Sequence, residues 1–284
     1  MRNACIALLS DFGSRDVYAG VMKGVIATIS PRARLIDLTH EIPTGDVRQA
    51  AFRLWQARPH MPPGTIFLAV VDPGVGTSRR PLAIRCEDFS LVGPDNGIFT
   101  YLLGARGAER PVEITNFDRL AWRRARRQSS TFHGRDVFAP AAGLLALGSD
   151  VDELGPEAGD LVKIPLPRLV CLESEESLRG ETMFQDRFGN YVTSIGALAR
   201  AGDVLRLDPW VPGCPSLTLP SPRLRVQLGD GRTLPLVRAF ADVPVGSALA
   251  YVGSDGLLEI GVNQGSAADS LSLTSGMEVV LAWG

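Results

Sequence analysis

CIALLSDFGSRDVYAGVMKGVIATISPRARLIDL, residues 5–38, spells out one β-α-β unit. Cys5–Leu9 is an uninterrupted apolar run, the pattern of a strand covered on both faces, and it ends abruptly at Ser10-Asp11-Phe12-Gly13. Apolar side chains then recur at 17, 18, 21, 22, 25, 26 and 29, which predicts an amphipathic helix over Arg15–Ser30 stopped by Pro31. Arg34–Leu38 reads as the next strand. Further along, Asp46–Ala57 predicts a helix, Thr65–Val71 a β-branched buried strand, and Pro81–Cys86 and Ser90–Val92 two more strands. Asn96–Leu103 and Asp136–Leu147 read as helices, the second tolerating Pro140 only in its first turn. This alternation predicts an α/β N-terminal domain, a mostly parallel sheet flanked by helices.

After residues 161–167 the texture changes. Helical periodicity fades and short β-rich runs follow near 168–172, 179–185, 190–195, 223–228, 233–239, 247–252, 257–261 and 277–283. Turn signals such as Gly229-Asp-Gly231 and Ser254-Asp-Gly256 separate them. The expectation is an all-β, barrel-like C-terminal domain, with domains at 1–165 and 166–284.

A chain of 284 residues accommodates two such cores. Its net charge of −2 leaves no electrostatic footprint for nucleic acid or an anionic membrane. The local exception is Arg119–Arg127, five arginines around Trp122, which reads as a solvated loop or as a phosphate or partner contact. Cys5, Cys86, Cys171 and Cys214 form no Cys-x-x-Cys pair, so neither a zinc site nor a disulfide framework is expected. The first apolar run reaches Asp11 too soon for a signal sequence, and no stretch has the length of a membrane span. The expected location is cytoplasmic.

Ligands of open α/β sheets sit beyond the carboxyl ends of the strands. Asp11 and Asp72 stand at two such ends. A carboxylate after the first strand suits a ribose diol, and Asp11 suits a helix N-cap or a turn equally well. Asp72-Pro-Gly-Val-Gly-Thr-Ser-Arg79 has two glycines that permit close backbone approach to a ligand, or simply make a turn. Gly93-Pro-Asp95-Asn96-Gly97 reads as a turn and helix start. His133 opens His-Gly-Arg-Asp and is one of three histidines; His40 and His60 have no companion ligands and read as structural. No metal motif, no Gly-x-Ser-x-Gly elbow and no Gly-x-Gly-x-x-Gly fingerprint is present, so metal, serine-hydrolase and dinucleotide readings are set aside and no cofactor is expected.

Six motifs occur in one order: Ser10-Asp11-Phe12-Gly13 with Asp16; Asp72 through Arg79; Gly93-Pro-Asp95-Asn96-Gly97; Thr131-Phe-His133-Gly-Arg-Asp136; Asp186-Arg-Phe-Gly-Asn190; and Val262-Asn-Gln-Gly-Ser266. Together, and over essentially the whole chain, they resemble the S-adenosyl-L-methionine (SAM) hydroxide adenosyltransferases, adenosine-forming SAM hydrolases related to fluorinase and chlorinase. The resemblance implies hydrolysis of SAM to adenosine and L-methionine by an activated water in line with the ribose 5′ carbon. It also implies a homotrimer with active sites shared between subunits. The catalytic aspartate, arginine and histidine fall on Asp72, Arg79 and His133, and the ribose-binding acid on Asp11. Asp16, Asp186 and Asn190 match positions that hold the methionine part or the nucleoside. Phe240, Ser254, Glu259 and Val262 match an adenosine-facing set, and Gly134 a substrate-binding position.

Four departures matter. Halogenating members resemble this chain less at Asp72, where they carry tyrosine, and at His133; fluorinase has serine at the position of Gly134. Halide chemistry is therefore disfavoured. Asp255 stands where fluorinase places an arginine against the methionine carboxylate. A SAM or adenosine sensor without turnover is the other reading, and the intact Asp72, Arg79 and His133 oppose it.

Overall fold

Every side chain of β1 (Cys5–Ser10) is buried, as a strand covered on both faces requires. Its alternation separates two cores: Ile6 and Leu8 pack on one side of the sheet, Ala7 and Leu9 on the other. The computed structural model describes residues 4–104, 110–121, 129–220 and 223–283. The chain falls into two units, 1–165 and 166–284.

In the first unit α1 (Tyr18–Ile29) follows β1 and leads to β2 (Arg34–Thr39), then α2 (Val47–Ala57) to β3 (Thr65–Val70). Next come β4 (Pro81–Arg85), β5 (Phe89–Pro94), α3 (Thr100–Leu103), β6 (Arg110–Glu113) and α4 (Ala139–Leu147). The sheet order is β2-β1-β3-β5-β4-β6. The first four of these are parallel, and β4 runs antiparallel to both of its neighbours. Side chains of α1 and α4 fill the core on the Ile6 side, and Ala50 and Leu54 of α2 fill the other. The α/β layering expected from the sequence is what is found.

The chain leaves β1 towards β2 on one side, whereas β3 leads on to β5 on the other. The strand order therefore reverses between β1 and β3, the crevice where such sheets bind ligands. Ser10 is in register with Val70, so Asp11 and Asp72 emerge side by side at that crevice.

Two helices differ from expectation. Residues 96–99 stay out of α3 because Asn96 bonds locally: its Oδ1 accepts from Ile98 N at 3.2 Å, and its Nδ2 donates to the Val71 carbonyl at 2.8 Å. The segment holding Pro140 begins as a wide turn over Gly134–Phe138 and becomes α4 only at Ala139. A wide turn before a proline relieves the clash of its ring with the preceding carbonyl, so Pro140 sits in the first turn of α4.

The second unit contains β7 (Leu169–Leu172), β8 (Ser177–Gln185), β9 (Tyr191–Thr193), β10 (Leu198–Ala201), β11 (Val204–Leu207), β12 (Leu217–Pro220), β13 (Arg225–Leu228), β14 (Thr233–Leu234), β15 (Leu236–Val237), β16 (Ala248–Val252), β17 (Leu258–Val262), α5 (Ala267–Leu271) and β18 (Glu278–Ala282). Nine of these strands make one barrel-like sheet in the order β14-β13-β18-β8-β9-β17-β16-β15, with β7 on β8. The predicted β-rich runs map onto this sheet. The three-stranded sheet β10-β11-β12 and helix α5 have no counterpart in the expectation. Among the described residues no helix is long and apolar enough to cross a membrane.

Candidate active site

The loops after β1 and β3, with the start of the His133 helix, enclose a cleft of about 270 Å³. Asp11, Phe12, Asp72, Phe132, His133 and Gly134 line it, together with Thr44 and Gly45. Asp11 does not cap α1, whose N-cap is Val17; its Oδ2 accepts from Gly45 N at 2.9 Å. The Asp72 loop turns through bonds from Val75 N to the Asp72 carbonyl and from Thr77 N to the Gly74 carbonyl, both 3.2 Å. Gly76 has φ +80°, and a Cβ there would lie 2.7 Å from the Ser130 carbonyl oxygen. That glycine lets the loop close on residues 129–133 of the chain itself.

Arg79 is buried behind this wall rather than lining it. Its Nε donates to Asp72 Oδ1 at 3.0 Å and its Nη2 to Oδ2, a two-pronged ion pair with both side chains less than a tenth exposed. The same Nη2 lies 3.1 Å from His133 Nδ1, and Nη1 is buried without a hydrogen-bond partner among the described residues. A guanidinium only donates, so Nδ1 accepts and the neutral ring carries its proton on Nε2. Burial, reinforced by the Arg79 charge, holds His133 below its ordinary value of 6.5. Burial pushes the Asp72 carboxyl above the usual carboxylate value although Arg79 pulls it down, and Asp11 adds to the rise.

Arg80 points elsewhere. Its Nε donates to buried Asp95 at 2.9 Å, and its other nitrogens bond the carbonyls of Ala158 and Asp160. Asp95 also accepts from Val162 N at 2.9 Å, so this pair fastens residues 158–162 to the end of the sheet.

Gly134 is buried against its neighbours: a Cβ there would meet Met22 Sδ and Phe132 at 3.0 Å and Phe12 at 3.4 Å. Asp16 is exposed and borders a second cleft with Gly13, Lys23, Asp37 and His40, not the first. Of the Arg119–Arg127 cluster, residues 122–127 lie outside the described residues; Arg119 bonds Glu153. Among the described residues no group of three or more His, Cys, Asp or Glu converges as metal ligands would.

In the second unit Asp186 organises its own turn. Oδ1 accepts from Phe188 N at 2.8 Å and Asn190 N at 2.9 Å, and Oδ2 from Asn190 Nδ2 at 3.0 Å. Asn190 Oδ1 and the Phe240 ring converge on Gly261, where a Cβ would come within about 3 Å of both. Phe240 packs against Tyr251 at 5.0 Å between ring centres, and Tyr251 donates to Glu259. Burial and that carboxylate push the Tyr251 hydroxyl well above its ordinary value. Val262 is buried in the core, and Ser254 lies in the β16–β17 turn beside Asp255. Asn190, Phe240 and Glu259 thus gather around β16 and β17.

Of the remaining cleft walls, Phe12 and Phe132 stand within the Asp11 and His133 motifs, whereas Thr44 and Gly45 carry no sequence signal of their own. Gly45 acts through a backbone N–H, which every residue but proline has.

Comparison with known proteins covers both units. A family model described as the SAM hydroxide adenosyltransferase N-terminal domain matches residues 6–155, and its C-terminal counterpart matches 180–280. An (R)-S-adenosyl-L-methionine hydrolase of Thermus thermophilus is 40% identical over 97% of this chain and 98% of its own. A fluorinase of Actinoplanes is 25% identical over 98% of this chain and 97% of its own. A crystal structure of an uncharacterized conserved protein from Thermotoga maritima superposes with a TM-score of 0.81 at 33% identity, covering 98% of this chain and 99% of that one.

Proposed function

The chain belongs to the SAM hydroxide adenosyltransferase family, and on that basis we propose that it hydrolyses (R)-S-adenosyl-L-methionine to adenosine and L-methionine. The observation that carries the proposal is the meeting of Asp72, Arg79 and His133 at the crevice beside Asp11. The sulfur of SAM is a sulfonium stereocentre, and the R configuration is taken from the name of the Thermus relative.

Water attacks the ribose 5′ carbon in line with the carbon–sulfur bond. The new C–O bond forms as the C–S pair returns to sulfur, which leaves neutral methionine sulfur and releases one proton. Positioning the water and stabilising its hydroxide character are the tasks left to the protein. His133 cannot take that proton in its resting tautomer: Nδ1 faces Arg79 and Nε2 already carries hydrogen. Its Nε2–H instead donates to the water oxygen and orients it. Asp72, made more basic by burial, accepts the proton and passes it to solvent. Arg79 acts from behind, holding both partners and lending positive charge to the developing hydroxide.

Asp11 accepts hydrogen bonds from the ribose hydroxyls, and Gly134 leaves room between Phe12 and Phe132. We assign Asn190, Phe240, Ser254, Glu259 and Val262 to the nucleoside and Asp16 and Asp186 to the remaining substrate contacts, by resemblance. By the same resemblance the protein is a homotrimer whose sites take residues 1–165 from one subunit and residues 166–284 from the next. A halide would meet the acidic Asp72 at the crevice, which disfavours halogenation.

Purified protein incubated with SAM should release adenosine and methionine in equal amounts, and chelator should not change the rate. Loss of activity in chelator with recovery on adding a divalent ion would overturn the metal-free mechanism. Binding without turnover would make the protein a sensor.

A further inference from the structure

A second polar chain runs beneath the Asp11 turn through residues that the proposed mechanism does not use. Lys23 Nζ donates to Asp37 Oδ2 at 2.8 Å, His40 Nε2 lies 3.1 Å from Asp37 Oδ1, and Ser10 Oγ lies 2.7 Å from His40 Nδ1. With a carboxylate at Nε2 the ring proton sits there, so Nδ1 accepts from the Ser10 hydroxyl. Ser10 Oγ in turn accepts from Phe12 N at 3.4 Å. Serine, histidine and aspartate in contact suggest a hydrolytic triad, but Ser10 is 1% exposed and has no access to a substrate.

The arrangement is a fastening. The loop from Thr39 to Gly45 crosses the Ser10–Gly13 turn through two backbone bonds, Gly13 N to the His40 carbonyl at 2.7 Å and Ile42 N to the Ser10 carbonyl at 3.4 Å. At its far end Gly45 N donates to Asp11 Oδ2 at 2.9 Å. The two contacts at 3.4 Å are weak, so the side-chain tie between Ser10 and His40 is among the strongest holding loop and turn together. Because Gly45 occupies one carboxylate oxygen, the direction of the other depends on where this loop sits.

We propose that His40 is a positioning residue for ribose recognition: through Ser10 and Asp37 it holds the Thr39–Gly45 loop against the turn and so aims the Asp11 carboxylate. The inference rests on the reading of Asp11 as the ribose-binding acid.

The test is calorimetric binding of adenosine and of 2′,3′-dideoxyadenosine to wild type, Asp11→Asn, His40→Ala, Asp37→Ala and the Asp11→Asn/His40→Ala double variant. His40→Ala should weaken adenosine roughly fivefold, the worth of about one hydrogen bond, and leave 2′,3′-dideoxyadenosine, which has no ribose hydroxyl for Asp11, nearly unmoved. Asp37, on the exposed side of the chain, can be replaced without burying a defect, and Asp37→Ala should shift the preference the same way by a smaller factor. The double variant should bind no worse than Asp11→Asn, because both changes remove one function. Equal weakening of both ligands, or a lowered melting temperature with the preference intact, would overturn the positioning role. Should His40→Ala not fold, an unaltered preference in Asp37→Ala decides against it. If Asp11→Asn itself keeps the preference, the ribose reading fails and takes the inference with it. A preference lost in Asp11→Asn and kept in His40→Ala sinks the inference alone.

Discussion

At the level of single residues, the chemistry of the cleft depends on what Arg79 does to its two neighbours. His133→Ala or Arg79→Ala should lower turnover by roughly 10²–10⁴-fold, the usual effect of removing a positioned proton-transfer or electrostatic group. Adenosine binding should survive far better than turnover in His133→Ala; near-normal turnover there would refute the assignment. The pH dependence has a definite sign. Above its ordinary value of 6.5 His133 is neutral in folded and unfolded chains alike, so it contributes no pH dependence of stability there. As pH falls below 6.5 the unfolded chain takes up the proton first, and stability declines until the lowered folded value is passed. Activity that needs the neutral ring persists further into acid than an ordinary histidine would allow. The acid limb of kcat/KM should therefore lie below 6.5, and a limb centred above it would contradict the buried, Arg79-facing ring. Asp11→Asn should weaken adenosine by roughly 1.5–3 kcal/mol, the range for a hydrogen bond to a charged group. Unchanged affinity would return Asp11 to a purely structural part.

At the scale of elements, the strand ends were legible because parallel strands buried on both faces read as continuous apolar runs that stop at a polar residue. Asp11 after Leu9-Ser10 and Asp72 after Val70-Val71 stand out for that reason. Arg79 and Arg80 could not be separated by chemistry, since adjacent arginines differ only in the direction the backbone gives them. The extra turn at Asn96 and the wide turn before Pro140 were invisible to periodicity because each depends on local bonding or on a ring clash. Strands β10 to β12 are four residues each, and Pro209, Pro212, Pro215 and Pro220 interrupt the stretch around the last two, so no β-rich run registers there. Gly76 offers a test at this scale. Its positive φ and the 2.7 Å approach to the Ser130 carbonyl together exclude a side chain. Gly76→Ala should cost about 1–3 kcal/mol in denaturant unfolding and displace the segment that carries His133. Gly13 also has a positive φ but no atom within 4 Å, so Gly13→Ala should cost less. Equal costs at the two positions would mean that contact with Ser130 contributes nothing.

At the scale of the whole molecule, two unlike units carry the candidate residues: Asp11, Asp72, Arg79 and His133 in the first, Asn190, Phe240 and Glu259 in the second. Neither periodicity nor composition says whether a site takes both halves from one chain. The shared trimeric site is proposed from the family resemblance. Mixing His133→Ala chains with chains altered at Asn190 should then restore part of the activity, because some interfaces pair two intact halves. Full activity in a monomer measured by light scattering would rule the arrangement out. Which bond is made can be read with ¹⁸O-labelled water. Turnover of (R)-S-adenosyl-L-methionine in that solvent should place the label on the 5′ oxygen of adenosine and leave methionine unlabelled. Unlabelled adenosine, or release of methylthioadenosine in its place, would contradict attack of water on the ribose 5′ carbon.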